Sequence, residues 1–477
     1  MSQEKTIHGS FQLLFLLAFL ILLLSTSFFM SQLKPALAVG IAVGMAIFLI
    51  SFLDINVALY LLILSMLLSP EFGQRTVYGR GMTLRIEDFL IAIVGFAWLA
   101  KNAYYKNLDE LGLLRKTPIN PYIFGYMVVC TFTTAIGMIA GRVNVKTGFF
   151  FVLKYFEYII VYFILVNHLH DKKKIRDYTW LILLTCLIVC IIAIMQIPRG
   201  MRVTAPFEGV HGEPNTLGGY LVLMLSITIG IFFAMDSIDM KAILGSFSII
   251  ITIVLLYTLS RNSWLAALGM AMFFILFLKG KQRMFALLIT SAAVLILILY
   301  APGRVRERVS DTFVHQRTSW RQESILGQNL DQSTSARISD WKKGLRDWLQ
   351  NHFIFGYGVT GYSFMDAQFI RIAVETGIIG LIAFILLLKA IFKNAWHSYR
   401  KVHSPFFKGL SLGYLAGFVG LLVHCIGTNT FIIVRIMEPF WFLTGMVIML
   451  PELEKKSEME SMQGINTAGQ AESLQNT

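Results

Sequence analysis

The sequence predicts an all-α polytopic membrane protein with about 12–14 transmembrane helices, from its composition, its recurring apolar runs and the placement of its cysteines. Of the 477 residues, 56% are hydrophobic and 14% are charged, whereas a soluble globular chain carries about 25% charged residues. The mean hydropathy of +0.67 excludes bulk disorder, which requires low hydrophobicity and high charge. All four cysteines lie inside apolar runs, so a disulfide scaffold is also excluded.

Apolar runs bounded by charge, Gly or Pro define the candidate spans. We predict them at 11–30, 36–53, 55–69, 89–100, 121–141, 148–167, 178–197, 216–235, 242–259, 263–278, 284–301, 368–391, 409–427 and 430–450. The first is interpreted as a retained span because no A-x-A-type cleavage site follows it. We therefore expect N-terminal transmembrane helices over 1–197, a second helical region over 198–450 that contains a large loop with short helices at 302–367, and a disordered tail over 451–477.

The distribution of basic residues predicts the orientation of the chain. Lys and Arg are more frequent in the short loops that share a side with both termini, and basic short loops resist translocation. Both termini are therefore expected in the cytoplasm, with the large loop extracytoplasmic. Most of the net charge of +13 follows from this topology, so nucleic acid is not expected as a partner.

Ionisable residues inside a span are costly and usually face a bundle interior or a wet cavity. Three oppositely charged pairs occur at i,i+3 or i,i+4 spacing, which places both members on one helix face. Each pair is either a self-neutralising structural element or part of a substrate cavity. The pairs are Lys154 with Glu157, Arg371 with Glu375, and Arg435 with Glu438.

Two polar segments on the predicted outer side precede the large loop. In the first, Arg202 is followed by a Gly- and Pro-containing turn that opens the next span. A helix N-terminus with an arginine nearby is a ready anion site, although Asn215 or Thr216 can equally be the cap of that helix. This segment also contributes Glu213, Asn215 and His211. In the second, Arg261 lies in a hairpin of a few residues, where it either binds phosphate or extends toward lipid headgroups.

Two further segments lie in and after the large loop. Residues 335–350 have the spacing of an amphipathic helix, with Arg337 and Trp341 on it, and such a helix either contributes to a site or merely lies at the interface. A Gly-rich turn then leads to Asp366 and Gln368 at the mouth of a span. An acidic residue there is either a helix cap or a reactive group.

In this order and spacing, the segments resemble the O-antigen ligase/polymerase superfamily of membrane glycan-assembly proteins. The resemblance implies a GT-C-like, metal-independent glycosyltransferase that uses no cofactor. Its donor would be an oligosaccharide on undecaprenyl pyrophosphate. By resemblance, Arg202 and Arg261 would hold the pyrophosphate and Asp366 would take the catalytic base position. The implied substrate-binding residues are Arg337, Asn215, Trp341, Gln368, Glu213 and His211.

The resemblance favours a polymerase of lipid-linked repeat units, acting in the cytoplasmic (inner) membrane to make a cell-surface polysaccharide. Family ligases typically carry a His-Asn pair where this chain has Asp366-Ala367. The alternative within the family is a ligase that transfers the glycan to lipid A core, a wall polymer or a protein. From other classes, a transporter or flippase and a scaffold for an export complex are alternatives. The expected partners are the donor, a glycan acceptor, membrane lipids, a chain-length regulator and a flippase.

Overall fold

The computed structural model describes residues 35–72, 84–104, 115–208, 212–300, 303–310, 313–314, 324–325, 328–330 and 332–475. The chain forms two compact units, the first from Met1–Ala58 with Ala92–Lys106 and the second from Leu59–Ile91 with Asn107–Thr477. Helix α1 (Pro35–Leu53), the start of α2 (Ile55–Leu68) and most of α3 (Ile86–Tyr104) belong to the first unit. There the Lys101 ammonium donates to the Leu53 carbonyl over 3.2 Å. The predicted span 11–30 lies outside the described residues.

The second unit contains the remaining helices and all the short strands. The helices are α4 (Asn120–Ile139), α5 (Val145–His168), α6 (Lys172–Ile194), α7 (Pro214–Ala234), α8 (Ile238–Tyr257), α9 (Arg261–Phe277), α10 (Gly280–Tyr300), α11 (Gly303–Ser310), α12 (Gln332–Asn351), α13 (Gln368–Lys401), α14 (Pro405–His424) and α15 (Val434–Gln475). Strand β1 (Glu71–Phe72) pairs antiparallel with β2 (Leu84–Arg85), and β3 (Phe313–Val314), β5 (Gln328–Leu330) and β4 (Ser324–Ile325) form an antiparallel sheet in that order.

The all-α polytopic class is confirmed. Within the described ranges, nine helices are long and apolar enough to cross a membrane, and three shorter helices are also apolar. Every predicted span from 36–53 onward coincides with one of the helices. The short strands were not expected from the sequence, because segments of two or three residues carry no periodic signal.

Helices α7 and α14 pack closely through small residues. A Cβ atom on Gly413 would lie 2.5 Å from the Ser226 carbonyl oxygen, and one on Gly409 would lie 2.7 Å from that of Gly230. Small residues let helix backbones approach, which is how spans associate when surrounding lipid is as apolar as the side chains. This contact brings the start of α7 beside the end of α14.

Helix α13 is interrupted at Gly377, where φ is +71°. A side chain there would overlap the Ile354 carbonyl, so only glycine admits the passing segment. The Tyr357 N–H donates to the Val374 carbonyl over 2.9 Å, and the Gly358 N–H donates to that of Glu375 over 2.7 Å. The predicted continuous span 368–391 is therefore broken, and the Gly-rich turn lies along its first half.

The predicted amphipathic helix of the large loop is present as α12. Its apolar face packs on the segment before α13 and on α13 itself, with Trp348 in one buried cluster with Met365 and Val374. Trp341 and Leu345 contact the same cluster. Helix α12 thus packs on the start of α13 and on the segment that precedes it.

The tail prediction differs from the structure, because α15 continues past Pro451 to Gln475. Glu454 accepts the backbone N–H groups of His403 and Ser404 over 2.9 and 3.0 Å, and Leu453 is buried. Arg115 also pairs with Glu452. These contacts hold residues 452–454, the first part of the segment whose polar composition predicted disorder.

Candidate functional site

The two predicted arginine segments before the large loop are joined in the structure. The Arg202 guanidinium donates from Nε to the Thr258 carbonyl and from Nη2 to the Leu259 carbonyl, both over 3.1 Å. The Val203 N–H donates to the Tyr257 carbonyl over 3.2 Å. The loop that carries Arg202 is therefore docked on the turn that leads into Arg261.

Arg202 lies in a strongly positive environment. Burial lowers the pKa of Arg202 to about 10, and repulsion from Arg308, Arg261 and Arg337 acts in the same direction, against the attraction of Glu213. A cation whose charged form is disfavoured by other cations gains from a bound anion. We name Arg202, Arg261, Arg308 and Arg337 the arginine cluster.

Asn215 is not the cap that its position suggested. Helix α7 begins after Glu213 with no side-chain cap, and Asn215 lies in its first turn. The Asn215 Oδ1 atom accepts from the Ser260 hydroxyl over 2.7 Å, while its Nδ2 atom donates to a Glu213 oxygen over 3.4 Å. Ser260 in turn caps α9 by accepting from the Ser263 N–H over 3.3 Å. The first turns of α7 and α9 are thus tied together beside Arg261.

Asp366 lies at the end of the large loop, two residues before α13, and contacts α12. The Arg337 Nη2 atom is 3.4 Å from Asp366 Oδ2, with the two side chains 28% and 26% exposed. The Trp341 indole N–H donates to the Asp366 carbonyl over 3.1 Å. Helix α13 begins after Ala367 without a side-chain cap, so the capping alternative for Asp366 is not realised.

The environment of Asp366 suits proton transfer. Burial raises its pKa, and the raising effect outweighs the attraction of Arg337 and Arg371. A carboxylate with a raised pKa is a better general base than an ordinary one, provided that it stays within reach of the proton. At 26% side-chain exposure, Asp366 remains accessible to a ligand.

Gln368, which the sequence predicts to bind substrate, is only 1% exposed, so its side chain is buried away from a ligand. Its Oε1 atom accepts the Phe431 N–H over 2.9 Å, and its own N–H donates to the Cys425 carbonyl over 3.1 Å. Its Nε2 atom has no hydrogen-bond partner among the described residues. Its contacts therefore attach the start of α13 to the connection between α14 and α15.

The predicted residues form two groups. Arg202, Arg261, Asn215 and Glu213 lie around the starts of α7 and α9, and Asp366, Trp341 and Gln368 lie at the start of α13. Arg337 contacts Asp366, and its charge also repels that of Arg202. It therefore interacts with both groups. His211 lies outside the described residues.

Sequence reasoning missed two arginines of α11. Arg308 is the largest charged contribution to the field at Arg202, and a Cβ atom on Gly200 would lie 2.8 Å from Arg304 Nη2. Their i,i+4 spacing was a usable signal, because it places both on the same face of one helix. Within the described part of the chain, no three His, Cys, Asp or Glu side chains are arranged to hold a metal ion.

Residues 246–385 match the family model described as O-antigen ligase. The matched range contains Arg261, the large loop, Asp366 and Gln368, and it ends within α13. The match supports the O-antigen ligase/polymerase superfamily that the sequence motifs indicate, and hence glycan processing of this general type. No curated protein matches this chain.

Proposed function

We propose, on the premise that residues 246–385 form an O-antigen ligase-type region, that the protein polymerises undecaprenyl-pyrophosphate-linked repeat units into a cell-surface polysaccharide. The product would be an exopolysaccharide, a capsule or an O-antigen, made at the outer face of the cytoplasmic membrane. The observation that carries the proposal is the arginine cluster together with a partly exposed carboxylate, Asp366, to which Arg337 of the cluster is paired.

The arginine cluster would bind the pyrophosphate of the donor. A guanidinium suits this role because its planar donor set matches phosphate oxygens in pairs. Arg202 uses Nε and Nη2 to bond backbone carbonyls, which fixes the side chain and leaves Nη1 outside these two bonds. Pre-oriented cations of this kind stabilise the charge that develops on a departing pyrophosphate.

Asp366 would act on the acceptor. Its carboxylate takes the proton of the acceptor hydroxyl as the oxygen bonds to the anomeric carbon of the donor sugar. The bond from that carbon to the pyrophosphate oxygen breaks, and the electron pair leaves with the pyrophosphate. Arg337 orients the carboxylate in the resting state, and the raised pKa of Asp366 favours proton uptake.

The polymerase is favoured over the ligase by the residues at the base position. Where superfamily ligases typically have His and Asn, this chain has Asp366 and Ala367. The ligase alternative keeps the same donor and chemistry but takes lipid A core, a wall polymer or a protein as acceptor. A chain-length regulator and a flippase would be partners of the polymerase.

The test uses purified protein in nanodiscs with lipid-linked repeat units as the sole substrate. The wild type should produce a ladder of products, and Arg261→Ala and Arg202→Ala should each reduce turnover by about 10²–10³-fold. Arg306→Ala is the matched control, since this arginine is exposed on α11 and donates to the Leu299 carbonyl. Asp366→Asn should impair transfer and spare donor binding. Wild-type chain lengths in both arginine variants would overturn the proposal. In a second reaction that also contains an added acceptor, transfer to that acceptor without a ladder would identify a ligase.

A further inference from the structure

The connection between α14 and α15 contacts residues that adjoin both groups of site residues. We name residues 424–431 the bridge; it contains the end of α14 and most of a short 3₁₀ helix, Thr430–Ile432. The bridge lies outside the range that matches the family model. Its polar side chains His424, Thr428, Asn429 and Thr430 are all buried.

On one side the bridge holds the start of α9. The Asn262 amide donates from Nδ2 to the Gly427 carbonyl and to the Thr428 hydroxyl, both over 2.8 Å. Asn262 follows Arg261 directly in the chain. The bridge therefore determines where the first turn of α9 lies, and with it the backbone of Arg261.

A second contact on this side runs through His424. Its Nε2 atom is 3.1 Å from the Ser263 hydroxyl, and its Nδ1 atom is 2.8 Å from the Thr430 hydroxyl. The Ser263 hydroxyl is 2.7 Å from that of Ser260, the residue that donates to Asn215. Hydrogen-bonded side chains thus run without a gap from the start of α7 to the 3₁₀ helix of the bridge.

On the other side the bridge holds the residues that flank Asp366. The Asn429 amide donates from Nδ2 to the Met365 carbonyl over 2.7 Å. The Phe431 N–H donates to Gln368 Oε1 over 2.9 Å, and the Gln368 N–H donates to the Cys425 carbonyl over 3.1 Å. Asp366 is therefore anchored both before and after its position in the chain.

We propose that the bridge sets the separation between Arg261 and Asp366, with Asn262 and Asn429 as positioning residues at its two ends. The inference rests on the proposed function, because it concerns the distance between donor and acceptor groups. Bond formation requires reacting atoms about 3–3.5 Å apart, and a misplacement of about 1 Å costs about 10²-fold in rate. Buried hydrogen bonds suit this role. Breaking one leaves a buried polar group without a partner, which costs the full desolvation penalty of that group, so these bonds hold their position firmly.

The test is a double-mutant cycle on the full-length protein, measured by repeat-unit polymerisation in nanodiscs. Asn262→Ala and Asn429→Ala should each lower kcat by about 10–10²-fold, while the Kd for undecaprenyl pyrophosphate changes by less than about twofold. Since Asn262 and Asn429 donate to different acceptors, independent effects would multiply. Because either substitution disconnects the same bridge, the double variant should be no slower than the slower single variant.

Asn394→Ala is the matched control. This asparagine donates to a backbone carbonyl over 2.8 Å, like Asn429, but it lies near the far end of α13 and should leave kcat unchanged. Thr428→Val preserves the shape of the side chain and removes one acceptor of Asn262, so it should lower kcat by a smaller factor. It serves as the test if an alanine variant does not fold.

Two outcomes would overturn the inference: an unchanged kcat in Asn429→Ala and Thr428→Val, or losses that multiply in the double variant. These are distinguishable from failure of the proposed function, which would leave the wild type itself without a product ladder. A rise in Kd for undecaprenyl pyrophosphate that accounts for the whole loss of turnover would also contradict a positioning role, because it would place the effect in donor binding.

Discussion

Two charged pairs with nearly the same sequence pattern have different fates in the structure. Arg371 and Glu375 are four residues apart on α13, and Arg435 and Glu438 are three apart on α15. The first two pair with each other, with Arg371 Nε 3.1 Å from Glu375 Oε1. The second two do not: the nearest acidic atoms to Arg435 belong to Glu71 and Glu208, at 3.7 and 3.8 Å.

The reason for the difference is the competition for Arg435. Its guanidinium is fully buried and donates to the Pro206 carbonyl over 2.7 Å, to that of Ser69 over 3.0 Å and to that of Leu67 over 3.4 Å. Two of these carbonyls lie at the C-terminal end of α2, where a cation is favoured. Arg435 thus anchors the loop that carries Arg202, and Glu438 is left without a hydrogen-bond partner among the described residues. Spacing along a helix permits a pair, but neighbouring segments decide whether it forms.

Of the substitutions that test this contrast, Arg435→Met should cause the largest loss of stability. The substitution leaves several buried acceptors without their donor, and breaking a buried charged contact on one side costs about 3–5 kcal/mol. We expect a larger drop in thermal stability in detergent than substitution of either Glu375 or Glu438 would cause. A loss equal to that of the exposed control Arg306→Met would show that the anchoring is unimportant.

Glu375→Gln should have the next largest effect. It leaves Arg371 buried opposite a neutral group, although the amide oxygen can still accept the Thr360 N–H that Glu375 Oε1 accepts over 3.1 Å. We expect a loss of about 2–4 kcal/mol in the free energy of unfolding. Adding Arg371→Met should recover part of it, since the unpaired cation is then removed; a further drop in the double variant would contradict a mutually compensating pair.

The pH dependence of stability tests the acidic partner of Arg435. Burial raises the pKa of Glu208 from 4.5 to about 7, more than Arg435 lowers it. The folded protein therefore holds this proton while the unfolded chain has released it. The free energy of unfolding should fall as pH rises from about 4.5 to 7, by at most about 1.4 kcal/mol per pH unit. Melting curves of Glu208→Gln should be flatter over this window, and an identical slope would rule Glu208 out as its source.

Glu438→Gln should have the smallest effect. Its carboxyl group makes no hydrogen bond with the described residues, so an uncharged amide of the same shape removes no contact. We expect a change below about 1 kcal/mol in the free energy of unfolding. Comparison with Glu375→Gln, the same substitution four residues from its own arginine, isolates the effect of pairing, and equal losses in the two variants would abolish the contrast.

Much of the fold follows from hydropathy. The spans from 36–53 onward coincide with helices because each is an apolar run that only a helix can satisfy in lipid. The motif order likewise indicated the superfamily that residues 246–385 support. The break at Gly377 could not be predicted in this way. It arises because a segment about twenty residues earlier in the chain passes beside the helix. Arg308 was missed as well, because its i,i+4 spacing from Arg304 indicates a shared helix face, but only the tertiary structure places its charge near Arg202.

The sequence by itself determined that this is a helical membrane protein, where its spans lie and which polar segments interrupt them. It could do so because an apolar run long enough to cross a bilayer is visible in the local composition. It also placed Lys154 and Glu157 on one helix face, where they pair over 2.9 Å. Only the tertiary structure decided that Asn215 bonds Ser260 rather than capping its helix, that Arg435 pairs with residues other than Glu438, and that the bridge joins the first turn of α9 to the residues that flank Asp366. Hydrogen-bond partners in a buried interior are chosen among groups distant in sequence, so spacing along one helix cannot reveal them.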